Sequence, residues 1–155
     1  MRISEQFFRI PVLEPKDWEA GGDGDSIHMG KLHSAEFLLA FGAVTGDAVL
    51  KFYVGATAGT KTTAVAFKYR MSTVDFNSAS ADVFGAATDV ASSGLTLTAA
   101  TFDHRLVSIE FDSQAIADAT PYLTMEVSAA ASALLLSCTA TGVGREKANV
   151  ATTVI

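Results

Sequence analysis

Three short stretches in the second half of the chain have the pattern of strands. The first two alternate apolar and polar residues, and the third is a short apolar run. They cover residues 106–111, 122–127 and 133–138. Because successive side chains of a strand point to opposite faces, the alternation predicts strands with one buried face. A polar link and a turn of small residues separate the three. We therefore expect a three-stranded meander that supplies much of the core.

The first half of the chain has the same character. A short edge strand is predicted over residues 26–31, and longer strands over 35–41, 48–54, 64–70 and 94–98. A turn at Thr45-Gly46-Asp47 predicts that the second and third of these pair as a hairpin. Short strands divided by turns, without intervening helices, indicate an all-β protein: an antiparallel β-sandwich or barrel, jelly-roll-like.

The N-terminal residues differ from this pattern. Residues 7–13 are apolar, with Pro11 and Pro15 discouraging helix, and a glycine-rich acidic joint follows at residues 21–25. We therefore divide the chain into an extended arm with a glycine hinge, residues 1–25, and one β domain, residues 26–155. The domain carries a C-terminal tail from about residue 142.

Two fates are open for the arm, since leaving its aromatic residues in water would be unfavourable. It packs as the first strand of its own domain, or it reaches onto a neighbouring subunit or partner. Deleting residues 1–20 is expected to leave a folded body that assembles poorly. The candidate subunit or partner contacts are the apolar residues of the two chain ends: Phe7, Phe8, Ile10, Val12, Leu13, Trp18, Val150, Val154 and Ile155.

Composition narrows the possible partners. The 155 residues suit a single domain, and 49% of them are hydrophobic. A net charge of −6 argues against nucleic-acid binding, which needs a clustered basic footprint. Residues 1–15 lack the continuous apolar core of a signal peptide, and no stretch is apolar enough to cross a membrane. We expect a product made in the cytoplasm, with the single cysteine, Cys138, buried.

Candidate metal sites are weak. His28 and His33 are five residues apart, which would place them on opposite faces of a strand. The acidic residues of the glycine joint lack the spacing of an EF-hand. Neither a metal ion nor another cofactor is expected.

Candidate catalytic residues are equally weak. Glu110 and Asp112 share one strand face, where an exposed polar surface is a better interpretation than a glycosidase pair. Residues 68–70, Lys-Tyr-Arg, form the densest basic spot but are too few for a nucleic-acid platform. Nucleophile elbows and P-loops are absent from the sequence. The expectation is a protein that is not an enzyme.

From about Asp25 onward, the chain resembles the small structural proteins of tailed bacteriophages that accompany the major capsid protein. The resemblance rests on the order of five segments: 33–44, 64–70, 94–98, 106–112 and 122–127. It implies a β-sandwich or barrel protein on the virion surface, typically a homotrimer that binds the major capsid protein. The function it implies is capsid decoration, in which a cement protein stabilises the shell.

Two other functions stay open. One is a head–tail connector or tail structural protein, for which ring-shaped oligomers would be expected. The other is a carbohydrate-binding module for host attachment, although the only tryptophan, Trp18, lies in the arm.

Overall fold

The computed structural model describes residues 7–76, 78–80 and 83–144, which are almost entirely β-structure. A four-residue helix, α1 (Ala99–Phe102), and 3-10 turns at Met29–Lys31 and Ser113–Ala115 interrupt the strands. The strands in these ranges are β1 (Phe7–Asp17), β2 (Gly22–Asp23), β3 (Ile27–His28), β4 (Leu32–Val44), β5 (Ala48–Gly55), β6 (Thr63–Val65), β7 (Phe67–Met71), β8 (Thr88–Val90), β9 (Leu95–Leu97), β10 (Leu106–Asp112), β11 (Tyr122–Val127) and β12 (Leu134–Gly144).

The strands form two antiparallel sheets of six strands each. Sheet I has the order β1-β12-β4-β10-β7-β8. Sheet II has the order β2-β11-β5-β6, with β3 also pairing with β11 and β9 also pairing with β5. Neither sheet closes on itself, so the prediction of an antiparallel sandwich is confirmed and the barrel alternative is not what forms.

An aromatic cluster joins the two sheets. The Phe52 ring of sheet II lies 4.9 Å from Phe37, 5.1 Å from Phe67 and 4.8 Å from Phe111, all three of sheet I. The contacts with Phe37 and Phe67 are edge-to-face, an arrangement that aromatic quadrupoles favour. The inward faces of both sheets therefore share one core.

The predicted meander is wrong. Strand β10 lies in sheet I between β4 and β7, β11 lies in sheet II, and β12 returns to sheet I between β1 and β4. The predicted hairpin of residues 35–41 and 48–54 is wrong for the same reason, because β4 and β5 belong to different sheets. Alternation shows that a strand has one apolar face. It does not show which of two facing sheets that strand joins.

The N-terminal segment is a strand of the domain itself. Strand β1 pairs with β12 from Phe7–Val143 to Asp17–Leu135, with irregularities on both sides of Leu13. From residue 7 onward, the segment thus follows the first of its two predicted fates, and residues 7–25 of the proposed arm are not separate from the body; residues 1–6 lie outside the described residues. Strand β1 pairs with the last strand described, β12. The spacing of apolar residues within residues 7–13 could not indicate a partner so distant in the sequence.

The glycine joint is also part of the fold. Strand β2 pairs with β11, and the Gly24 N–H donates to the Met125 carbonyl at 2.8 Å. Gly21 adopts a φ of 70°, and a Cβ there would lie 2.6 Å from the Ala129 nitrogen. Glycine is therefore required at this tight turn. Because β2 and Gly24 are hydrogen-bonded to β11, the joint is part of the sheet and does not act as a hinge.

The first three residues of the predicted tail belong to the sheet. Gly142 to Gly144 belong to β12, in register with β4. The rest of the tail, residues 145–155, lies outside the described residues.

Candidate functional site

The outer face of sheet I carries a strip without charge, formed by the outward residues of β4 and β12. Leu38 and Leu135 are exposed there, at 40% and 41%. The strip consists of Leu38, Ala40 and Gly42 on β4, and Leu135, Ser137 and Thr139 on β12. Both strands lie inside the sheet, so the strip occupies the middle of the face, and apolar surface there is available to a partner.

Charged side chains border this uncharged strip at one end and on its β1 side. Register places Arg9, Thr141, Glu36 and Glu110 in one row across β1, β12, β4 and β10. On the β1 side, Lys16 forms an exposed ion pair with Glu14 at 2.6 Å. An uncharged centre with a charged rim is the arrangement found in protein–protein interfaces.

Two carboxylates face each other at one edge of the strip. Glu36 and Glu110 are direct register partners on β4 and β10. The Ser108 hydroxyl donates to Glu36 Oε1 at 2.7 Å, and the Ser108 side chain is buried. Glu36 is thereby held in place, while Glu110 is exposed.

Beside Glu110, sheet I opens into a groove. The ladder between β10 and β7 contains three register pairs, from Val107–Met71 to Ile109–Tyr69, and no further pair follows. On its other side, β10 stays paired with β4 as far as Asp112. Because β7 departs from β10 in order to continue from β6 of sheet II, a groove of about 690 Å³ opens between them.

Backbone groups line this groove. The Ser72 N–H donates to the Leu106 carbonyl at 2.8 Å, which shows the side of β10 that faces β7. Alternate residues of a strand point their N–H and C=O groups the same way, so Glu110 turns its backbone groups toward the groove. Lys68 does the same from β7. These groups lie beyond the last register pair, like those of an edge strand.

The side chains of the groove differ between its floor and its walls. Phe67 and Phe111, both buried in the core, form the apolar floor. The β10 wall carries Glu110 and Asp112, whereas the opposite wall carries Lys68 and Arg70. Lys68 forms an exposed ion pair at 3.0 Å with Asp89 of β8, so this wall is partly neutralised.

A second hollow continues from the groove toward β12. It has a volume of about 350 Å³ and is lined by Glu36, Glu110 and Asp112, together with Thr141 and Val143. Glu110, Phe111 and Asp112 line both depressions. The two depressions therefore adjoin at the end of β10, and Glu110 and Asp112 contribute acidic side chains to both.

Most of the predicted N-terminal contact residues are not on this surface. Ile10, Val12, Leu13 and Trp18 are buried in the core of their own chain, so they are not available to a partner as the chain is folded here. Phe7 and Phe8 are half-buried at the start of β1. The three predicted C-terminal contacts, Val150, Val154 and Ile155, lie outside the described residues.

Trp18, the residue after β1, packs against the end of that strand. Its indole N–H donates to the Glu14 carbonyl at 3.1 Å, and the Lys16 ammonium lies 4.3 Å from the ring centroid. The ring is 7% exposed. It therefore offers no platform for a sugar ring.

Sequence reasoning missed Leu38 and Leu135 as surface residues. The signal was present for Leu38, since it lies two residues from Glu36 and therefore shares its outward face. For Leu135, within an unbroken apolar run, alternation gave no such signal. The groove also escaped prediction, because it arises where two strands from different parts of the chain separate.

The histidines and the cysteine considered as candidates in the sequence lie at separate places in the fold. His28 packs edge-on against Tyr122, with ring centroids 4.6 Å apart, and His33 lies on β4. Between residues 7 and 144, within the described ranges, no three His, Cys, Asp or Glu side chains form a possible metal site. Burial raises the pKa of the Cys138 thiol, which keeps it protonated and poorly reactive.

An ion-pair network stabilises sheet II at the opposite side of the molecule. The Lys61 ammonium donates to Asp23 Oδ1 at 2.8 Å and also to Glu126 Oε2. The hydrogen bond to Asp23, followed by that to Glu126, raises the pKa of Lys61. The network connects the β5–β6 loop to β2 and β11.

Comparisons with protein-family models, with curated proteins and with solved structures found no match. Among the described helices, none is long and apolar enough to span a membrane.

Proposed function

We propose that this chain is a non-enzymatic structural protein of a phage virion, a decoration or cement protein that binds and stabilises the capsid. The observation that carries the proposal is the uncharged strip of sheet I with its charged rim. The resemblance of five segments to phage head proteins supplies the identity of the partner, the major capsid protein.

The strip suits a stabilising role for a physical reason. Binding across a junction between shell subunits adds buried apolar area, at about 25 cal/mol per Å² before the costs of association. Leu38 and Leu135 supply large apolar side chains, while the small residues between them permit close approach. A homotrimer would present three strips together, and multivalent attachment would raise the overall affinity.

The test is co-sedimentation of the purified protein with capsids that lack it. We expect saturation at about one copy per shell subunit, as for a protein that follows the symmetry of the shell. Thr139→Lys places a charge in the middle of the strip and should weaken binding. Thr96→Lys, an exposed position on sheet II, is the matched control and should bind normally.

Light scattering of the free protein separates decoration from the connector alternative. A trimer that coats the whole shell supports decoration. Rings of higher order, or binding at one vertex only, would replace it with a head–tail connector. Failure of the wild-type protein to bind any capsid or virion part would refute the proposal.

A further inference from the structure

We propose that the groove between β10 and β7 binds an extended segment of a partner protein, which adds to β10 as an antiparallel strand. The segment would carry an apolar residue with a basic residue on each side of it. The inference rests on the backbone groups at the end of β10, on the apolar floor of the groove and on the charges of its walls. It does not depend on capsid binding.

The end of β10 turns backbone groups toward the groove. Strand β7 is in register with β10 only as far as Ile109, whereas β4 stays in register on the other side as far as Asp112. The Ser72 N–H donates to the Leu106 carbonyl, so the even-numbered residues of β10 direct their backbone groups to the β7 side. The Glu110 carbonyl and the Asp112 N–H therefore face the groove. Among the described residues, no strand is in register with either of them on this side.

These two groups match the hydrogen bonds of one more antiparallel strand. In such a pair, the bonds lie on both sides of each non-hydrogen-bonded position. Opposite Phe111, the next residue of an added segment would donate its N–H to the Glu110 carbonyl, and the preceding carbonyl would accept the Asp112 N–H. Both sheets are antiparallel, and this pairing is slightly more stable per residue than the parallel one. Binding would thus occur by β-augmentation.

The floor of the groove determines the central residue of the segment. Side chains directly opposite each other on paired strands point to the same face, so a residue opposite Phe111 would point inward with it. There it would contact the apolar floor formed by Phe67 and Phe111. The groove volume of about 690 Å³ lies within the range of about 300–1,000 Å³ that is typical of ligand sites. An apolar, β-branched side chain suits this position and favours a strand.

The walls of the groove determine the two flanking residues. These would point outward, one opposite Glu110 and the other opposite Asp112, where opposite charges stabilise a strand pair. Carboxylates outnumber basic groups around the groove and the adjoining hollow: Glu36, Asp89, Glu110 and Asp112 against Lys68 and Arg70. Lys68 is already paired with Asp89 at 3.0 Å. Basic flanking residues are therefore favoured, and they would also relieve the repulsion between Glu36 and Glu110.

Fluorescence polarisation with the full-length protein tests the inference. The probe is a labelled synthetic peptide with neutral ends, Thr-Lys-Ile-Arg-Thr. We expect saturable binding that weakens as salt is added, because the charges lie on an exposed face. The charge-reversed peptide Thr-Glu-Ile-Glu-Thr should not bind. Absence of saturable binding by the first peptide, or equal binding of the two, would overturn the inference.

Methylation of single peptide nitrogens tests the added strand. Methylating the arginine nitrogen removes the N–H that would donate to the Glu110 carbonyl, and should weaken binding about tenfold. Methylating the isoleucine nitrogen is the matched control, because that N–H would point away from β10. The control peptide should bind more tightly than the first. Equal affinities would show that the peptide does not pair with β10 as proposed.

Blocking the groove locates the binding. Ala115→Trp places a large side chain at an exposed position of the groove and should abolish binding of the peptide. Ala131→Trp, at an exposed position outside the groove, is the control and should bind normally. If Ala115→Trp fails to fold, Ala66→Trp, also exposed and lining the groove, takes its place. Undiminished binding by the blocked variant would overturn the inference.

A charge reversal tests the acidic wall. Glu110→Lys should weaken binding about fivefold, whereas Asp47→Lys, the same change at an exposed turn, should weaken it less. Equal losses would mean that the peptide responds only to net charge, which would overturn the proposed contact. Light scattering of the protein alone tests another occupant. A dimer that Ala115→Trp dissociates would also overturn the inference, since a second copy would then fill the groove.

Discussion

Glu36 and Glu110 face each other directly across the β4–β10 ladder, two carboxylates on neighbouring strands of one exposed face. Like charges in this position destabilise an antiparallel pair. The Ser108 hydroxyl satisfies Glu36 but donates nothing to Glu110. The pair therefore marks the point on sheet I where a cationic partner would be most favourable.

Neutralising one of these carboxylates should stabilise the protein. We expect Glu110→Gln to raise the free energy of unfolding by about 0.2–1 kcal/mol, measured by urea denaturation at low salt. Asp47→Asn, which removes an equal charge from an exposed turn, is the control. If the free energy of unfolding rises equally in both variants, the cause is the change in net charge and not the relief of repulsion between Glu36 and Glu110. A loss of stability in Glu110→Gln would mean that basic groups already pair with Glu110.

A buried hydroxyl pair in sheet II gives a second prediction. Ser26 Oγ lies 2.7 Å from Thr124 Oγ1 and accepts the Gly59 N–H, also at 2.7 Å. Ser26→Ala leaves both partners without this oxygen and should cost about 1–3 kcal/mol in thermal or chemical denaturation.

The contribution of Thr124 can be separated in a double-mutant cycle. Adding Thr124→Val to Ser26→Ala should cost less than the sum of the two single changes, because the bond is lost only once. Additive losses would show that the two hydroxyls do not interact. Ser93→Ala, at an exposed loop position, controls for the loss of any serine hydroxyl.

The burial of β1 predicts a large loss on truncating its core residues. Leu13 is 3% exposed, so Leu13→Ala should lower the free energy of unfolding by about 2–5 kcal/mol. The same change at exposed Leu38 should cost no more than about 0.5 kcal/mol. Equal, small losses of stability at both positions would contradict the packing of β1 into the core and would indicate a separable arm. A deletion of residues 1–20 is accordingly expected to unfold the body.

Lys61 gives a prediction about pH and salt. Lys61→Met should cost at most about 1 kcal/mol, because the network is partly exposed, and the cost should fall as salt is added. The raised pKa of Lys61 means that its contribution is complete below the ordinary lysine value of about 10.4 and is lost as the pH rises beyond the raised value.

The measurement for Lys61 is the stability difference between wild type and Lys61→Met at neutral and strongly alkaline pH. The difference should shrink at alkaline pH. Lys68→Met, which breaks a more exposed pair with Asp89, should show a smaller effect throughout. A difference that grows with pH would contradict the assignment.

Sequence patterns located the strands better than they located the sheets. The period of two identified β4, β5, β10 and β11, since each alternates between core and solvent. Assigning them to sheets required knowing which apolar faces meet, as Phe52 meets Phe37, and that depends on contacts distant in sequence.

The candidate site was predictable only in part. Glu110 and the basic residues of β7 were recognised as exposed polar groups, which they are. Their position on opposite walls of one groove follows from the separation of β7 from β10, and no local pattern encodes it. The buried N-terminal residues were misjudged because prolines and a glycine joint suggested a detached segment, while its partner, β12, lies at the other end of the described chain.

The pairing of β1 with β12 has a consequence for the order of events during synthesis. The Leu134 N–H donates to Asp17 Oδ1 across 117 residues, and β1 has no other strand partner in the described chain. During synthesis on the ribosome, β1 therefore stays unpaired, with Ile10 and Leu13 exposed to solvent, until β12 has emerged. Folding should complete only after most of the chain is released, and slowly, as pairing between distant segments requires. Nascent chains that stall before β12 would be the aggregation-prone species.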